Sequence, residues 1–400
     1  MALVTASWVL PVHGAPIRDG CVAVREGAVI WVGAAAAGGR PEGRRVDLGA
    51  GVLLPGLINA HCHLELSHLA ELGRRPWSFV SWVGELMRRR DDASREDVRA
   101  AVARAVVWLE RSGTVAVGDV SNSLKHLDLL AHAQLRAVVF HELLGWQPET
   151  ARKVLAAAED REAALNSDLG RRGVRVLLAA HAVHSVSAEL FAGIRRRGGP
   201  AALHLAESQA ESRFVASGDG PWADFLSGLG LGSRFEGHGL SPVRLADRLG
   251  LLRAGLLAVH CVQVDEEDCE LLARRSVSVV LCPRSNRTLG VGQAPVPQLL
   301  AAGVRLCLGS DSLASSPGLG VLDEAALLHA TFPDVAPATW IAMATRGGAE
   351  ALGMGDLGIL APGRRAALAF VPAPKVPDDP EAFVVSGQAA PRHVKLPEAA

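Results

Sequence analysis

Eight short apolar runs, spaced over residues 57–311 and separated by segments of helical periodicity, constrain this chain more than any other feature. They fall at 57–64, 113–120, 136–143, 175–182, 200–206, 256–262, 277–283 and 305–311. Their Val- and Leu-rich texture is that of strands buried on both faces of a parallel sheet. The intervening segments carry the helical repeat. In SREDVRAAVARAVVWLERSG, Ser94 is placed to cap, Val98, Val102, Ala105 and Leu109 share one face, and Gly113 can end the helix. Eight such alternations point to an α/β fold, a (β/α)8 TIM barrel over residues 56–354. A doubly wound open sheet is the alternative. The polar residues at the ends of the first, fifth, sixth and eighth runs weigh against it, because a barrel brings those ends to one mouth and an open sheet spreads them out.

Residues 1–55 read as short strands and turns, with two β-rich pieces in CVAVREGAVIWVG about Glu26 and Gly27. β texture returns in GRRAALAFVPAP, and PAPKVPDDP reads as a loop. Residues 1–55 and 355–400 are therefore expected to build one small β-sandwich domain from both chain ends. With 400 residues, 49% of them hydrophobic, a sizeable core is within reach. The formal net charge of −1 points to neither nucleic acid nor an anionic membrane surface as partner. No window has the length and apolarity of a membrane span, and the first twenty residues lack a leader-like pattern. A cytoplasmic protein acting on a small molecule is expected, with a homodimer open to it. None of the six cysteines forms a C-x-x-C pair; Cys62, Cys261, Cys282 and Cys307 lie in apolar runs, as small hydrophobes do.

Four clusters at the run ends carry candidate chemistry. His61 and His63, two apart on a strand, point to one face, and their imidazoles suit zinc or ferrous iron. His204 has Glu207 three residues on, where a carboxylate could move protons or could simply cap the next helix. His260 closes GLLAVH and could equally be a hydrogen-bonded core histidine. Asp311 closes VRLCLGSD; a cation would satisfy it, and so would a turn for which it is the cap. Singly each plain reading wins. Jointly they would have to coincide at the C-terminal ends of barrel strands, where barrel enzymes keep their sites. One shared metal site is the better account, and it suits hydrolysis or deamination.

His181 and His184 end the fourth run and are candidate substrate contacts; His141 with Glu142 ends the third, and Asp119 the second. Trp77, Phe79 and Trp82 follow the first run, where they could stack on a base or form the core of a lid helix. Arg284 and Arg287 could pair with a substrate carboxylate or stand free in solvent.

LLPGLINAHCHLELS, HLAES, VHCVQV, CPRSNRTLG and LGSDSLASS, in this order and spacing, resemble the deaminase and chlorohydrolase branch of the amidohydrolase superfamily, and DLGILAPGRRAALAFV resembles its closing segment. The resemblance spans essentially the whole chain. It implies His61, His63, His204 and Asp311 as ligands of one divalent ion, zinc or iron. It further implies Glu207 as proton shuttle, His260 as the group that positions water and substrate, Asp311 as acceptor of the water's proton, and His181 as a substrate contact. Two positions depart from the family pattern: His184 replaces a tyrosine, and CPRSN replaces a segment beginning His-Asn-Pro. Two-metal relatives use a strand-four lysine, and Lys125, Lys153, Lys375 and Lys395, the four lysines of this chain, all lie off the barrel strands. Within the branch, HLELS, WSFVSWVGELMRRR, FHELLG and SDSLASS most resemble the aminodeoxyfutalosine deaminases of menaquinone biosynthesis, which implies conversion of 6-amino-6-deoxyfutalosine to futalosine and ammonia. Deaminases of methylthioadenosine, adenosylhomocysteine or adenosine look similar. A chlorohydrolase is a further alternative, as is a catalytically silent assembly protein, although intact ligand positions favour an enzyme.

Overall fold

The computed structural model describes residues 1–145, 148–196, 199–230 and 236–396, and within them all eight apolar runs are strands. They are β1 (Leu57–Cys62), β2 (Thr114–Ser121), β3 (Arg136–Leu143), β4 (Val174–Ala180), β5 (Ala201–Leu205), β6 (Leu256–His260), β7 (Ser278–Leu281) and β8 (Arg305–Leu308). β1–β4 form one parallel four-stranded sheet in chain order and β5–β8 a second. Parallel bridges join them at both seams, Ala182 to His204 and Cys62 to Asp311, so the circuit returns to its start. Helices fill the connections. Arg95–Arg111 is capped by Ser94, whose side chain accepts from the Asp97 amide, and buries Val102, Ala105 and Leu109. Gly113 follows it at φ +78°, a left-handed conformation that costs glycine nothing.

Alternation along β1 decides what faces the middle of the ring. Cys62 packs outward with Val102, Val106 and Leu109 of that helix, and Ile58 and Ala60 pack on Ala349 and Leu352. Asn59, His61 and His63 take the opposite face.

Several strands end earlier than the apolar runs do. β8 stops at Leu308, so Asp311 stands in the following turn rather than on the strand. The cause is local. Ala206, His260, Cys261 and Asp311 all have positive φ, at 52°, 74°, 46° and 59°, which breaks the extended ladder just where the polar residues emerge. None of them is glycine, so each turn is strained and must be held by its surroundings.

The two chain ends meet in one seven-stranded mixed sheet. Leu368–Pro372 pairs antiparallel with Gly51–Pro55, so the tail returns to the N-terminal strands. Ile17–Arg25 and Ala28–Ala34 form a hairpin whose turn residues Glu26 and Gly27 both have positive φ, the geometry that matches strand twist. Hydrogen bonding makes this a single continuous sheet with apolar clusters on both faces. Val4, Val22, Leu53 and Phe370 belong to one cluster, and Leu3, Cys21 and Ala23 to the other. The six cysteines are buried and unpaired. Among the described residues no helix is long and apolar enough to cross a membrane.

Candidate metal centre

The four clusters converge at the C-terminal ends of the strands. His63 Nε2 lies 3.3 Å from His204 Nε2. Asp311 Oδ1 lies 3.7 Å from His61 Nε2 and 3.6 Å from His63 Nε2. In His61, His63 and Asp311, and again in His61, His204 and His260, the donor atoms all lie within 4.8 Å of one another. His61 Nε2 is buried and has no hydrogen-bond partner. A buried polar atom left so is costly, and a cation at the point these atoms share would satisfy it. Three imidazoles and a carboxylate are a donor set that zinc or ferrous iron accepts. The residues present therefore fit a divalent ion.

Outer contacts aim these donors. His204 Nδ1 lies 3.2 Å from the His181 carbonyl, which can only accept, so that nitrogen carries the hydrogen and Nε2 offers its lone pair inward. Glu142 Oε1 stands 3.5 Å from the same Nδ1, and Asn122 ties Glu142 in place at 3.0 Å. Asp311 Oδ2 accepts from Ser285 Oγ at 2.6 Å and Ser315 Oγ at 2.8 Å, while Oδ1 accepts from the Ser312 amide at 2.7 Å. The Leu64 amide, next to His63, donates to Asp119 Oδ1 at 2.8 Å, and His126 Nε2 holds the other oxygen at 2.7 Å. Burial pushes the imidazoles of His61, His63, His204 and His260 below their ordinary range, so they are neutral and ready to ligate.

Glu207 sits apart from the donor set, with Oε1 3.5 Å from His260 Nε2. It does not cap the next helix: Ser208 does, accepting from the Glu211 amide. Burial, and then the charges of Asp311 and Glu211, hold its carboxyl well above the usual range, which favours the protonated form. His260 Nδ1 meets Asn286 Oδ1 at 2.9 Å. An amide oxygen only accepts, so His260 Nε2 presents a lone pair toward the centre.

The sequence pattern of the amidohydrolase family matches residues 52–394, which hold the eight parallel strands and three of the seven strands of the small sheet. The chain belongs to the amidohydrolase family. Among similar proteins, the 5-methylthioadenosine/S-adenosylhomocysteine deaminase of Moorella thermoacetica is 31% identical over 94% of this chain and 88% of its own length. The aminodeoxyfutalosine deaminase of Deinococcus radiodurans is 33% identical over 82% of this chain and 81% of its own. A crystal structure of an adenosine deaminase from Xanthomonas campestris with bound zinc superposes with a TM-score of 0.81 at 26% identity, covering 97% of this chain and 89% of that one. This amidohydrolase is thus a hydrolase of carbon–nitrogen bonds.

The expected substrate contacts of this amidohydrolase divide. His181 lies at the centre, its ring 5.1 Å from that of His204, with Nδ1 bonded to Ser185 Oγ at 2.7 Å. His184 sits beside it but buried against Trp222, ring to ring at 5.1 Å, and 3.8 Å from Glu211. Trp82 is buried in an apolar cluster with Leu69, Leu72 and Leu289, and its indole donates to the Ala314 carbonyl at 2.8 Å. It is the core of the helix Phe79–Arg89 and braces the turn after Asp311, rather than offering a ring to stack on. Trp77 is half-buried, donates to the Leu72 carbonyl, and has the Arg75 guanidinium 4.0 Å over one face. Arg284 is committed elsewhere. Its guanidinium binds Glu324 at 2.7 Å, Asp323 at 3.2 Å and the Gly318 carbonyl at 2.9 Å. Arg287 is exposed on the rim of a cavity of about 570 Å³ floored by Leu281, Asn286 and Leu328.

The Arg284–Glu324 pair makes a stability prediction. Glu324 is fully buried and also accepts from the Arg284 amide at 2.9 Å, anchoring the helix Pro283–Thr288 that carries Ser285 and Asn286. Arg284→Met should lower unfolding free energy by about 3–5 kcal/mol, because it leaves a buried carboxylate without its partner. Urea denaturation would read this; an unchanged midpoint would show that the pair holds nothing.

Residues that sequence reasoning passed over include Asn286 and Ser285. Their signal was present in CPRSN, a short polar stretch closing an apolar run, but nothing local says which histidine or carboxylate it would meet. Glu65, Asn122 and Glu142 were also missed as a network: Glu65 accepts from Ser121, Asn122 and Ser123, and Asn122 reaches Glu142.

Proposed function

We propose that this amidohydrolase is a metal-dependent hydrolytic deaminase of aminopurine nucleosides, built on a (β/α)8 barrel, and that 6-amino-6-deoxyfutalosine is its substrate, giving futalosine and ammonia. The observation that carries the deaminase reading is a buried Glu207 carboxyl, 3.5 Å from His260 Nε2, beside the three-histidine, one-carboxylate cluster. Deamination of an amidine-type ring needs a proton delivered to the ring nitrogen while water adds to the neighbouring carbon, as zinc nucleobase deaminases do on another fold.

His61, His63, His204 and Asp311 would hold a divalent ion, which would supply Lewis acidity for activating water. The chain's own groups do the rest. Asp311 accepts a proton from the attacking water. His260, with its Nε2 lone pair turned inward by Asn286, accepts a hydrogen bond from that water and orients it. Glu207 gives its proton to the ring nitrogen next to the carbon under attack, so negative charge does not build on the ring. The bond to the exocyclic amine then breaks as the amine takes the proton held at Asp311 and leaves as ammonia; the hydroxyl proton passes to the Glu207 carboxylate, which is thereby reset, and the ring keeps the oxygen as a keto group.

The relatives named above support the adenosine-like substrate class and divide over its ribose substituent, which leaves methylthioadenosine and adenosylhomocysteine as the second reading. Ammonia release from adenosine, methylthioadenosine, adenosylhomocysteine and aminodeoxyfutalosine separates them by kcat/KM. Metal-replete enzyme that releases no ammonia from any of the four would end the deaminase reading, and chloride release from a chlorotriazine would replace it. Arg287 adds a finer test. If it meets a substrate carboxylate, Arg287→Ala should cut kcat/KM for aminodeoxyfutalosine by roughly 10-fold or more and leave adenosine within about two-fold, as loss of a charge-assisted hydrogen bond predicts. Equal losses on both substrates would remove it from the substrate site.

A further inference from the structure

We propose that Glu211 is a positioning residue that locks the two strained turns carrying Glu207 and His260 into one unit. The inference rests on the shuttle reading of Glu207. Glu211 stands in the first turn of the helix Gln209–Ser217 and is 2% exposed. Its carboxylate belongs to none of the donor groups around His61. It accepts two consecutive backbone amides instead, from Ala206 at Oε1 (3.1 Å) and from Glu207 at Oε2 (2.7 Å).

Those two amides point the same way only because Ala206 is left-handed, at φ +52°, a conformation that a residue with a Cβ leaves when nothing holds it. The same twist turns the Ala206 carbonyl outward, where it accepts from the amides of Val262 (2.9 Å) and Gln263 (2.8 Å). Cys261 donates to the Leu205 carbonyl at 3.1 Å. The turn after β6, with His260 at φ +74° and Cys261 at φ +46°, is thereby pinned to the turn after β5. Glu211 thus holds the one peptide geometry that aims Glu207 at His260. Glutamine cannot replace it, because its amide nitrogen would face a second donor where a second acceptor is required.

Glu211→Gln should fold, bind metal as the parent does and keep KM within about two-fold, while kcat falls on the order of 10²-fold, the cost of misplacing a reacting group by about an ångström. A double-mutant cycle isolates the route. On a Glu207→Gln background the further change Glu211→Gln should cost less than about two-fold, because the group it aims is already gone. An equal loss on both backgrounds would overturn the positioning role, as would a wild-type kcat in the single variant. Should Glu211→Gln not accumulate as folded, metal-loaded enzyme, Ala206→Gly joined to Glu211→Gln carries the test. Glycine adopts the left-handed turn without help, so folding and a kcat above that of Glu207→Gln are expected, and a folded double variant no faster than Glu207→Gln would overturn the inference. Glu207→Gln alone reports on the shuttle: if it is fully active that reading fails by itself, independently of what Glu211→Gln does.

Discussion

Glu207→Gln should bind metal at the parent's stoichiometry and lose turnover by about 10²–10⁴-fold, the range that general acid–base groups contribute. The amide fills the same volume beside His260, so the fold and the donor cluster have no reason to change. It cannot release and regain a proton, and the ring nitrogen then receives none. KM should move little, since the lost interaction belongs to the transition state. Steady-state kinetics with elemental analysis of the same sample checks this. An active, metal-replete Glu207→Gln enzyme would remove Glu207 from the chemistry.

Removing the metal should have the second large effect. Dialysis against a chelator is expected to abolish turnover and to lower the melting temperature, with both restored by about one equivalent of zinc or ferrous iron per chain. The physical reason lies in what the cluster becomes without a cation. Asp311 is 5% exposed and faces His61 and His63 at 3.6–3.7 Å, while His61 Nε2 has no partner of its own. Without a cation the Asp311 carboxylate keeps its serine partners, but the buried His61 Nε2 is left with no hydrogen bond. Metal-free protein at full activity would refute the mechanism, and two equivalents per chain would refute the single-ion assignment.

The two experiments probe different parts of one site, and those parts differ in how far they could be read from the chain. The strands could be read because their signal is local: apolar runs of Val and Leu alternating with a 3.6-residue repeat specify a parallel α/β ring with little help from elsewhere. His61 and His63 could be read for the same reason, since a two-residue spacing places both on one face. His204, His260 and Asp311 followed from lying at the ends of runs. In each case the information sits within about ten residues of the group concerned.

What could not be read depends on partners far along the chain. Whether Trp82 stacks on a ligand or packs in a helix core, and whether Arg284 pairs with a substrate or stands in solvent, was open in the sequence; the indole meets the Ala314 carbonyl, and Glu324 and Gly318 take the guanidinium. Asn286 had no assigned role until it faced His260 and set which nitrogen of that ring is bare. The strand ends were overestimated for a related reason. Ala206, His260 and Asp311 have left-handed backbones with no glycine to announce them, and only surrounding hydrogen bonds hold them there. By itself, then, the sequence determined the alternation of apolar strands with helices and the residue types at the strand ends, because periodicity and spacing are local properties. Tertiary structure alone decided the tautomers, the desolvation of Glu207 and the cradle around Ala206, because desolvation and hydrogen-bond direction exist only once distant segments have closed around the same point.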